Sequence, residues 1–206
     1  MELTPELPVV CMMHPVHADL FDPSQKLPAG FQYVPDLISS EDELDLVRRI
    51  EPLPLKEFEF QGFLGKRRIV SFGWRYDFNG GGLQKTENMP DFLLAVRHKA
   101  AAFARLDPSD LQQVLLTEYR PGVQIGWHKD RSVFGEVVGI SLLSPCTFRL
   151  RRKRERGGWE RASLVAEPRS AYLLAGTSRT EWEHSIPAVG SLRYSITFRN
   201  FKNEGK

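Results

Sequence analysis

Cysteine is scarce in this sequence, which has Cys11 and Cys146 among its 206 residues. So few thiols exclude a disulfide framework and a zinc site built from thiolates, and we expect two free thiols in a reducing compartment. Long apolar runs are missing too, since no window approaches the roughly 18 residues of a membrane-spanning helix. Residues 1–20 lack the basic start and the apolar stretch of a signal peptide. We therefore expect a cytoplasmic protein that has no membrane partner.

Charge of one sign does not dominate either, because 28 basic residues stand against 26 acidic ones. The basic residues are nevertheless concentrated in residues 149–161, which read RLRRKRERGGWER. Such a cluster suits phosphate binding, and Arg151, Arg152 and Arg154 are the candidate contacts with a nucleic-acid backbone. The alternative is a solvated hairpin with glycines at its tip.

The first half of the chain carries signals for an arm and two helices. Residues 1–29 are rich in proline and are expected to form a loose N-terminal arm. The segment SSEDELDLVRRI predicts a helix over about residues 41–51, capped by Ser40 together with Glu43. Pro90 opens a second amphipathic helix.

Strand signals fill the remainder of the chain. Residues 56–78 read as extended and rich in aromatic side chains, and a flexible break follows at residues 79–82. From residue 111 onward, short strand-like runs alternate with turns about every ten residues, which predicts a sandwich or a barrel. We expect one folded domain over residues 30–206, with the helices first and an all-β part after them.

Two histidines and an aspartate form the main chemical signal. His128 and Asp130 are two positions apart, so along an extended chain their side chains point to the same side, and His184 lies just before the last strand. Two histidines and one carboxylate fill one face of an octahedral ion and leave three positions open, which is the ligand set of non-haem Fe(II) oxygenases. A His-x-Asp pair is a weak motif by itself, and a chance pair of surface residues is the alternative.

The last predicted strand, RYSITFR, carries a second signal. By alternation, Arg193 and Arg199 share one face with two hydroxyl residues, while the opposite face is apolar. A strand inside a small barrel rarely buries two arginines without an anionic partner. A dicarboxylate cosubstrate would supply one, because guanidinium and carboxylate pair through two parallel hydrogen bonds. The alternative is that both arginines face water or pair with acids of the protein.

The segments LTEYRPGVQIGWHKD, GTSRTEWEHSIP and RYSITFR, in this order, resemble the AlkB-like Fe(II)/2-oxoglutarate dioxygenases. The resemblance implies an α+β, mainly β fold with a double-stranded β-helix, or jelly roll, core over about residues 111–202. It implies an N-terminal helical and extended region in which about residues 56–82 form a substrate lid. It also implies that His128, Asp130 and His184 bind Fe(II), with 2-oxoglutarate and O2 as cosubstrates.

The same resemblance implies roles for the residues around the cosubstrate. Arg193 would pair with the distal carboxylate of 2-oxoglutarate with help from Tyr119, and Arg199 would lie near the other end, close to the metal. Thr117 and Ser195 stand where relatives often carry asparagine. Both can still form hydrogen bonds, so cosubstrate binding is expected to survive.

The implied reaction is oxidative removal of alkyl groups from nucleobases in DNA or RNA, either for repair of alkylation damage or for RNA demethylation. The implied partner is a nucleic acid, and we expect a monomer. Two further readings stay open: a 2-oxoglutarate-dependent hydroxylase or demethylase of a protein or small molecule, and a non-catalytic jelly-roll binding module. The intact set of ligands and arginines argues against the last of these.

Two aromatic residues and one arginine are the candidates for substrate contacts. A base in a duplex must be flipped out to react, and Trp74 and Tyr76 are candidates to stack on it. Core packing is the alternative for both rings. Arg131 stands where several base demethylases have an acidic residue. Its charge would repel a cationic methylated base and favour a neutral or acceptor-rich one.

Overall fold

Two antiparallel β-sheets pack face to face in this computed structural model, which describes residues 26–60 and 62–202. In chain order, the strands are β1 (Phe31–Val34), β2 (Lys56–Phe60), β3 (Phe63–Phe72), β4 (Trp74–Asp77), β5 (Gly82–Lys85), β6 (Gln113–Tyr119), β7 (Ile125–His128), β8 (Phe134–Leu142), β9 (Cys146–Lys153), β10 (Trp159–Ala166), β11 (Ala171–Leu174), β12 (Glu183–Ile186) and β13 (Arg193–Phe201). The described helices are α1 (Ser40–Ile50), α2 (Leu94–Ala104) and α3 (Gly176–Thr180), with 3-10 turns at Asp91–Leu93 and Pro108–Asp110.

The larger sheet has seven strands in the order β1-β11-β8-β13-β6-β3-β2, and the smaller has four in the order β10-β9-β12-β7. A separate hairpin joins β4 to β5. Two antiparallel sheets that pack in this way confirm the predicted jelly-roll core in a mainly β fold. The lid role of residues 56–82 stays a prediction, as does the boundary of the domain. The predicted arm falls largely on residues 1–25, which lie outside the described residues.

Apolar side chains form one layer on each side of the larger sheet. Ile140, Ile196 and Phe198 are fully buried under α1 and α2, whose side chains Ile50 and Ala100 are also fully buried. Each buried isoleucine or phenylalanine contributes roughly 1.5–3 kcal/mol through burial. The helices therefore cover one face of the larger sheet and leave its other face to the smaller sheet.

The second apolar layer lies between the two sheets. Phe148 and Leu150 of β9 are fully buried there, and the ring of Phe148 lies 4.4 Å from that of Tyr172 on β11. This layer fills one part of the space between the sheets. The other part is a cleft lined by polar side chains of β13, β6 and β7.

Strand β13 has the alternation that the sequence predicts. Tyr194, Ile196 and Phe198 belong to the layer under the helices, whereas Ser195 and Arg199 line the cleft on the opposite face. The strand is central in the larger sheet, with β8 and β6 as its neighbours. Its polar face is consequently held inside the protein.

The first helix differs from its prediction at the cap. Ser39 is the N-cap: its Oγ accepts from the Asp42 N–H at 3.0 Å, and Asp42 accepts in return from the Ser39 N–H at 3.1 Å. The predicted pair of Ser40 with Glu43 is wrong because Glu43 is buried and accepts from the Leu143 N–H at 2.8 Å instead. The contact of Glu43 with Leu143 thus leaves the helix to be capped one residue earlier, by Ser39 together with Asp42.

The strand and second-helix predictions are confirmed, whereas residues 79–82, predicted as a flexible break, contain the turn between β4 and β5, and Gly82 begins β5. The residues read as extended form β2, β3 and β4, and the second helical signal corresponds to α2. The basic segment forms the hairpin β9–β10, with Gly157 and Gly158 at its tip. These two glycines have φ values of 87° and 78°, a left-handed conformation that favours glycine. None of the described helices is long and apolar enough to cross a bilayer.

Replacing the N-cap tests the observed helix start. Ser39→Ala is expected to lower the free energy of unfolding by about 1 kcal/mol, because the hydrogen bond to the Asp42 N–H is lost. Ser40→Ala is the matched control and is expected to change it by less than about 0.5 kcal/mol, since alanine is a good helix former. Urea unfolding followed by circular dichroism measures both variants. An equal or larger loss in Ser40→Ala would contradict this cap.

Candidate active site

A cleft of about 1130 Å³ lies between the two sheets, and residues of β2 and β4 in the extended segment also line it. Strands β6 and β13 supply its polar wall, and β7 and β12 supply the histidines. The sequence-predicted residues Thr117, Tyr119, Ser195 and Arg199 line it together with His128, Asp130 and His184. The fold therefore brings residues from four separate segments to one cavity.

His128 and His184 are held together by strand pairing. The two residues are direct partners in the antiparallel pair of β7 with β12, and their ring centroids lie 4.2 Å apart. Asp130 follows β7, and its Oδ2 lies 3.7 Å from Nε2 of His184. The Nδ1 atom of His128 lies 2.8 Å from the carbonyl oxygen of Gly126. A carbonyl only accepts, so Nδ1 carries the hydrogen and Nε2 keeps its lone pair.

Burial and charge set the protonation states of this cluster. Burial lowers the pKa of His128. Burial is also the largest cause that lowers the pKa of His184, to about 3, and the nearby His128 is the second cause. Burial raises the pKa of Asp130, but the positive charge of Arg199, with smaller effects from the histidines and Arg179, outweighs it and holds the pKa well below its usual range. At neutral pH the cluster thus offers two neutral imidazoles and one carboxylate.

Arg199 anchors the carboxylate. Its Nη2 and Nε donate to Oδ1 of Asp130 at 2.6 and 2.8 Å, and its Nη1 donates to Oε1 of Gln113 at 2.8 Å. The Arg199 and Asp130 side chains are only 11% and 7% exposed. Gln113 was not identified from the sequence, although it is the register partner of Arg199 on β6. The pairing leaves Oδ2 of Asp130 directed at the histidines.

The donor chemistry fits Fe(II). In the described part of the chain, no three His, Cys, Asp or Glu side chains are arranged so that they could hold a metal ion. Neutral imidazole and ionised carboxylate are nonetheless the forms that bind a metal, and this mixture without thiolate is the one that Fe(II) oxygenases use. His128, Asp130 and His184 stay the predicted ligands.

Arg193 is a buried cation whose terminal nitrogens lack a partner. Its side chain is fully buried, and Nε donates to Oγ of Ser141 at 3.1 Å. Nη1 and Nη2 have no hydrogen-bond partner among the described residues. Burial raises the pKa of both the Cys146 thiol and the Tyr172 phenol, so neither neighbour supplies a negative charge.

A buried charge of this kind needs an anionic partner. Two unpaired guanidinium nitrogens form the fork that binds a carboxylate through two hydrogen bonds. Arg193 lies across from Tyr119 in the register of β13 with β6, and its guanidinium carbon is 5.1 Å from the Tyr119 ring centroid. Thr117 and Ser195 form the next same-face register pair of these strands. The arrangement fits 2-oxoglutarate. The burial of both arginines excludes the reading in which they face water, but the alternative of pairing with an acid of the protein holds for Arg199, which pairs with Asp130.

The substrate candidates separate into two groups. Tyr76 and Arg131 line the cleft, and the Arg131 guanidinium carbon lies 4.6 Å from the Tyr76 ring centroid and 4.9 Å from that of Phe78. Trp74 does not line the cleft, because its ring packs edge-on against Phe201 with centroids 5.4 Å apart. Of the two predicted stacking residues, the fold brings Tyr76 alone to the cavity.

Two further arginines near the site, Arg67 and Arg179, were not predicted from the sequence. Arg67 lines the cleft with its guanidinium carbon 3.8 Å from the Phe58 ring centroid, and burial lowers its pKa. Arg179 donates to the carbonyls of Arg131, Phe134 and Gly135, each at 2.7 Å. It thereby holds the loop that carries Asp130 and Arg131. Arg67 lies in a run of basic residues that resembles an exposed strand, so its sequence offers no signal.

The basic hairpin is partly neutralised within the protein. Arg151 pairs with Glu183 at 2.6 Å, and Arg152 pairs with Glu160 at 2.8 Å and Glu181 at 2.6 Å. Arg154 is exposed near the tip of the hairpin. Of the three predicted contacts with a nucleic-acid backbone, Arg151 and Arg152 are thus paired with acids of the protein, whereas Arg154 is exposed.

The sequence model of the 2OG-Fe(II) oxygenase superfamily matches residues 30–199. The chain belongs to this superfamily. Membership confirms the predicted dioxygenase class, and with it Fe(II), 2-oxoglutarate and O2 as the metal and cosubstrates that the class uses. The resemblance to AlkB-like dioxygenases is confirmed by the relatives of this oxygenase.

One such relative is the Alkylated DNA repair protein ALKBH8 homolog of Arabidopsis thaliana, 26% identical over 91% of this chain and 62% of its own. Another is the Alpha-ketoglutarate-dependent dioxygenase alkB homolog 7, mitochondrial, of Mus musculus, 31% identical over 74% of this chain and 65% of its own. The chain thus spans less than two thirds of the length of either. The solved structure of OsALKBH1 has a TM-score of 0.63 at 18% identity over 85% of this chain and 99% of its own, which shows a shared fold.

Arg193→Met tests the anion site. In the absence of 2-oxoglutarate, the free energy of unfolding is expected to be higher in the variant than in the unaltered protein by about 1 kcal/mol or more, because a buried unpaired charge is removed. It is also expected to bind 2-oxoglutarate about 30-fold or more weakly. Urea unfolding and titration with 2-oxoglutarate in the presence of Mn(II) measure the two effects. Arg48→Met, on the exposed side of α1, is the control, and unchanged 2-oxoglutarate affinity in Arg193→Met would contradict the assignment.

Proposed function

We propose that this oxygenase removes alkyl groups from nucleobases in DNA or RNA, with Fe(II) held by His128, Asp130 and His184. The observation that carries the proposal is the position of this cluster in a cleft lined by Tyr119, whose ring centroid is 5.1 Å from the guanidinium carbon of the buried Arg193, whose terminal nitrogens lack a partner among the described residues. The printed names of its relatives support the substrate class: one is an alkylated DNA repair protein homolog, and another is a probable RNA/DNA demethylase ALKBH6 of Danio rerio.

Each residue of the site has a task in this proposal. Arg193 binds the distal carboxylate of 2-oxoglutarate, while Thr117, Tyr119 and Ser195 supply polar contacts along β6 and β13. Arg199 keeps Asp130 ionised and fixes its orientation. When bound, Fe(II) with 2-oxoglutarate and O2 supplies oxidation of a C–H bond, coupled to loss of CO2 and formation of succinate.

The cleft can hold a base as well as the cosubstrate. Its volume of about 1130 Å³ exceeds the roughly 300–1,000 Å³ of ordinary small-molecule sites. Tyr76 lines it and is the candidate to stack on a flipped-out ring. An N-methyl group that gains a hydroxyl group there leaves the nitrogen as formaldehyde. We extend the proposal to a nucleic-acid partner and to a monomeric enzyme.

The test is release of succinate and formaldehyde by the unaltered protein and by Asp130→Ala, with Fe(II), 2-oxoglutarate and O2. The substrates are methylated single- and double-stranded DNA and RNA oligonucleotides. Formaldehyde from at least one oligonucleotide is expected, and the variant is expected to lose at least about 100-fold in rate, because a missing metal ligand or its partner typically costs that much. Circular dichroism of the variant serves as the folding control.

The products also separate the alternatives. Succinate without formaldehyde would contradict the nucleobase substrate and favour a protein or small-molecule substrate. Neither product from folded, iron-loaded protein would contradict the enzyme and favour a binding module.

Arg131 is expected to select against cationic bases. Arg131→Gln should raise the rate on oligonucleotides with N1-methyladenine, which is cationic, relative to N6-methyladenine, which is neutral, by about fivefold or more, because a like charge at the cleft is removed. Arg131→Lys keeps the charge and is the matched control. Formaldehyde release under competition measures the ratio. An unchanged ratio in Arg131→Gln would contradict this role.

A further inference from the structure

Arginine and tryptophan side chains alternate across the outer face of the smaller sheet. The guanidinium carbon of Arg151 lies 4.4 Å from the ring centroid of Trp127 and 4.1 Å from that of Trp159. Arg149 lies 5.0 Å from the Trp127 ring centroid. Arg149 and Arg151 face away from the cleft, because Phe148 and Leu150 alternate with them on β9 and are buried between the sheets.

Arg161 on β10 extends this set, since it is the register partner of Arg151 and is exposed. We call Trp127, Arg149, Arg151, Trp159 and Arg161 the tryptophan–arginine row. The row runs across the sheet from β10, through β9, to β7 at the opposite edge.

The positive charge of the row is only partly compensated. Arg151 pairs with Glu183 at 2.6 Å, whereas Arg149 donates to the neutral Ser185 hydroxyl at 3.0 Å. Neither Arg149 nor Arg161 forms an ion pair with any residue of the described chain. Arg151 and Arg161 lie directly opposite each other on neighbouring strands, where like charges repel. The row therefore suits an anionic partner, which would relieve this repulsion.

The aromatic part of the row is accessible and continuous with the cleft. Trp159 is 37% exposed, although large apolar side chains are ordinarily covered. Trp127 belongs to the row and also lines the cleft, one residue before His128. A chain that lies along the row therefore reaches the rim of the cavity.

We propose that the row binds the single-stranded segment next to the base that enters the cleft. Bases stack on the exposed indole ring of Trp159 and on Trp127 at the rim of the cleft, and phosphates pair with Arg149 and Arg161. Stacking on tryptophan and arginine combined with backbone pairing is how proteins hold unpaired nucleotides of any sequence. An acidic peptide would use the arginines but leave the exposed indole without a partner. The inference rests on the proposed nucleic-acid substrate, and it transfers phosphate binding from Arg152, which is already paired, to Arg149 and Arg161.

Binding of a fluorescein-labelled, unmodified single strand of about 15 nucleotides tests the row by anisotropy over a range of NaCl concentrations. The double variant Arg149→Gln/Arg161→Gln is expected to bind about fivefold or more weakly at low salt. Its plot of log affinity against log salt should be shallower by about 1.4, which is 0.7 for each of two lost phosphate contacts. Arg48→Gln/Arg49→Gln is the matched control, because it removes the same charge from α1, which covers the far face of the larger sheet.

Trp159 tests the stacking part separately. Trp159→Leu is expected to weaken binding about fivefold or more without changing the salt slope, while Trp159→Phe keeps most of the affinity. Urea unfolding of each variant distinguishes a local loss of contact from a loss of fold. If Trp159→Leu does not fold, Trp159→Phe and the double arginine variant carry the test.

Row variants that bind like the unaltered protein would overturn the inference and leave the demethylation assay unaffected. An unaltered protein that binds no strand would overturn it as well. If the variants lose binding but no oligonucleotide yields formaldehyde, the row is supported and the proposed reaction fails.

Discussion

Burial of two positive charges on one face of β13 is the constraint on which the rest of the site depends. The helices cover the apolar face of this central strand, so Arg193 and Arg199 must lie between the sheets. Arg199 is compensated by Asp130, whereas Arg193 has two terminal nitrogens without a partner. A buried guanidinium without a counter-charge needs an anionic partner. The dicarboxylate 2-oxoglutarate, which is the cosubstrate of this superfamily, can be that partner.

Compensation of Arg199 also determines what the cluster of two histidines and one aspartate can do. The ion pair keeps Asp130 as a carboxylate, and burial keeps both imidazoles neutral. The pairing of β7 with β12 brings the two histidines together. Arg179 holds the loop after Asp130 through hydrogen bonds to three carbonyl groups.

The two faces of the smaller sheet carry different kinds of side chains. Its inner face carries His184 toward the cleft, and its outer face carries arginine and tryptophan side chains toward solvent. At the cleft, Arg131 lies over the rings of Tyr76 and Phe78, so a cation already occupies part of the aromatic surface. On the outer face, exposed Trp159 offers a ring to a partner. Chemistry and strand binding would then use opposite sides of the same four strands.

Sequence by itself determined what depends on alternation and short spacing: the helices, the extended segment, the hairpin β9–β10 and the two faces of β13. These features follow from backbone geometry, which repeats every two residues in a strand and every 3.6 in a helix. Tertiary structure alone decided which groups meet. It moved the cap of α1 from Ser40 to Ser39, packed Trp74 against Phe201 outside the cleft, and paired Arg151 with Glu183 from another strand. Such contacts join residues far apart in the chain, and their partners depend on strand register and sheet packing, which no local pattern encodes.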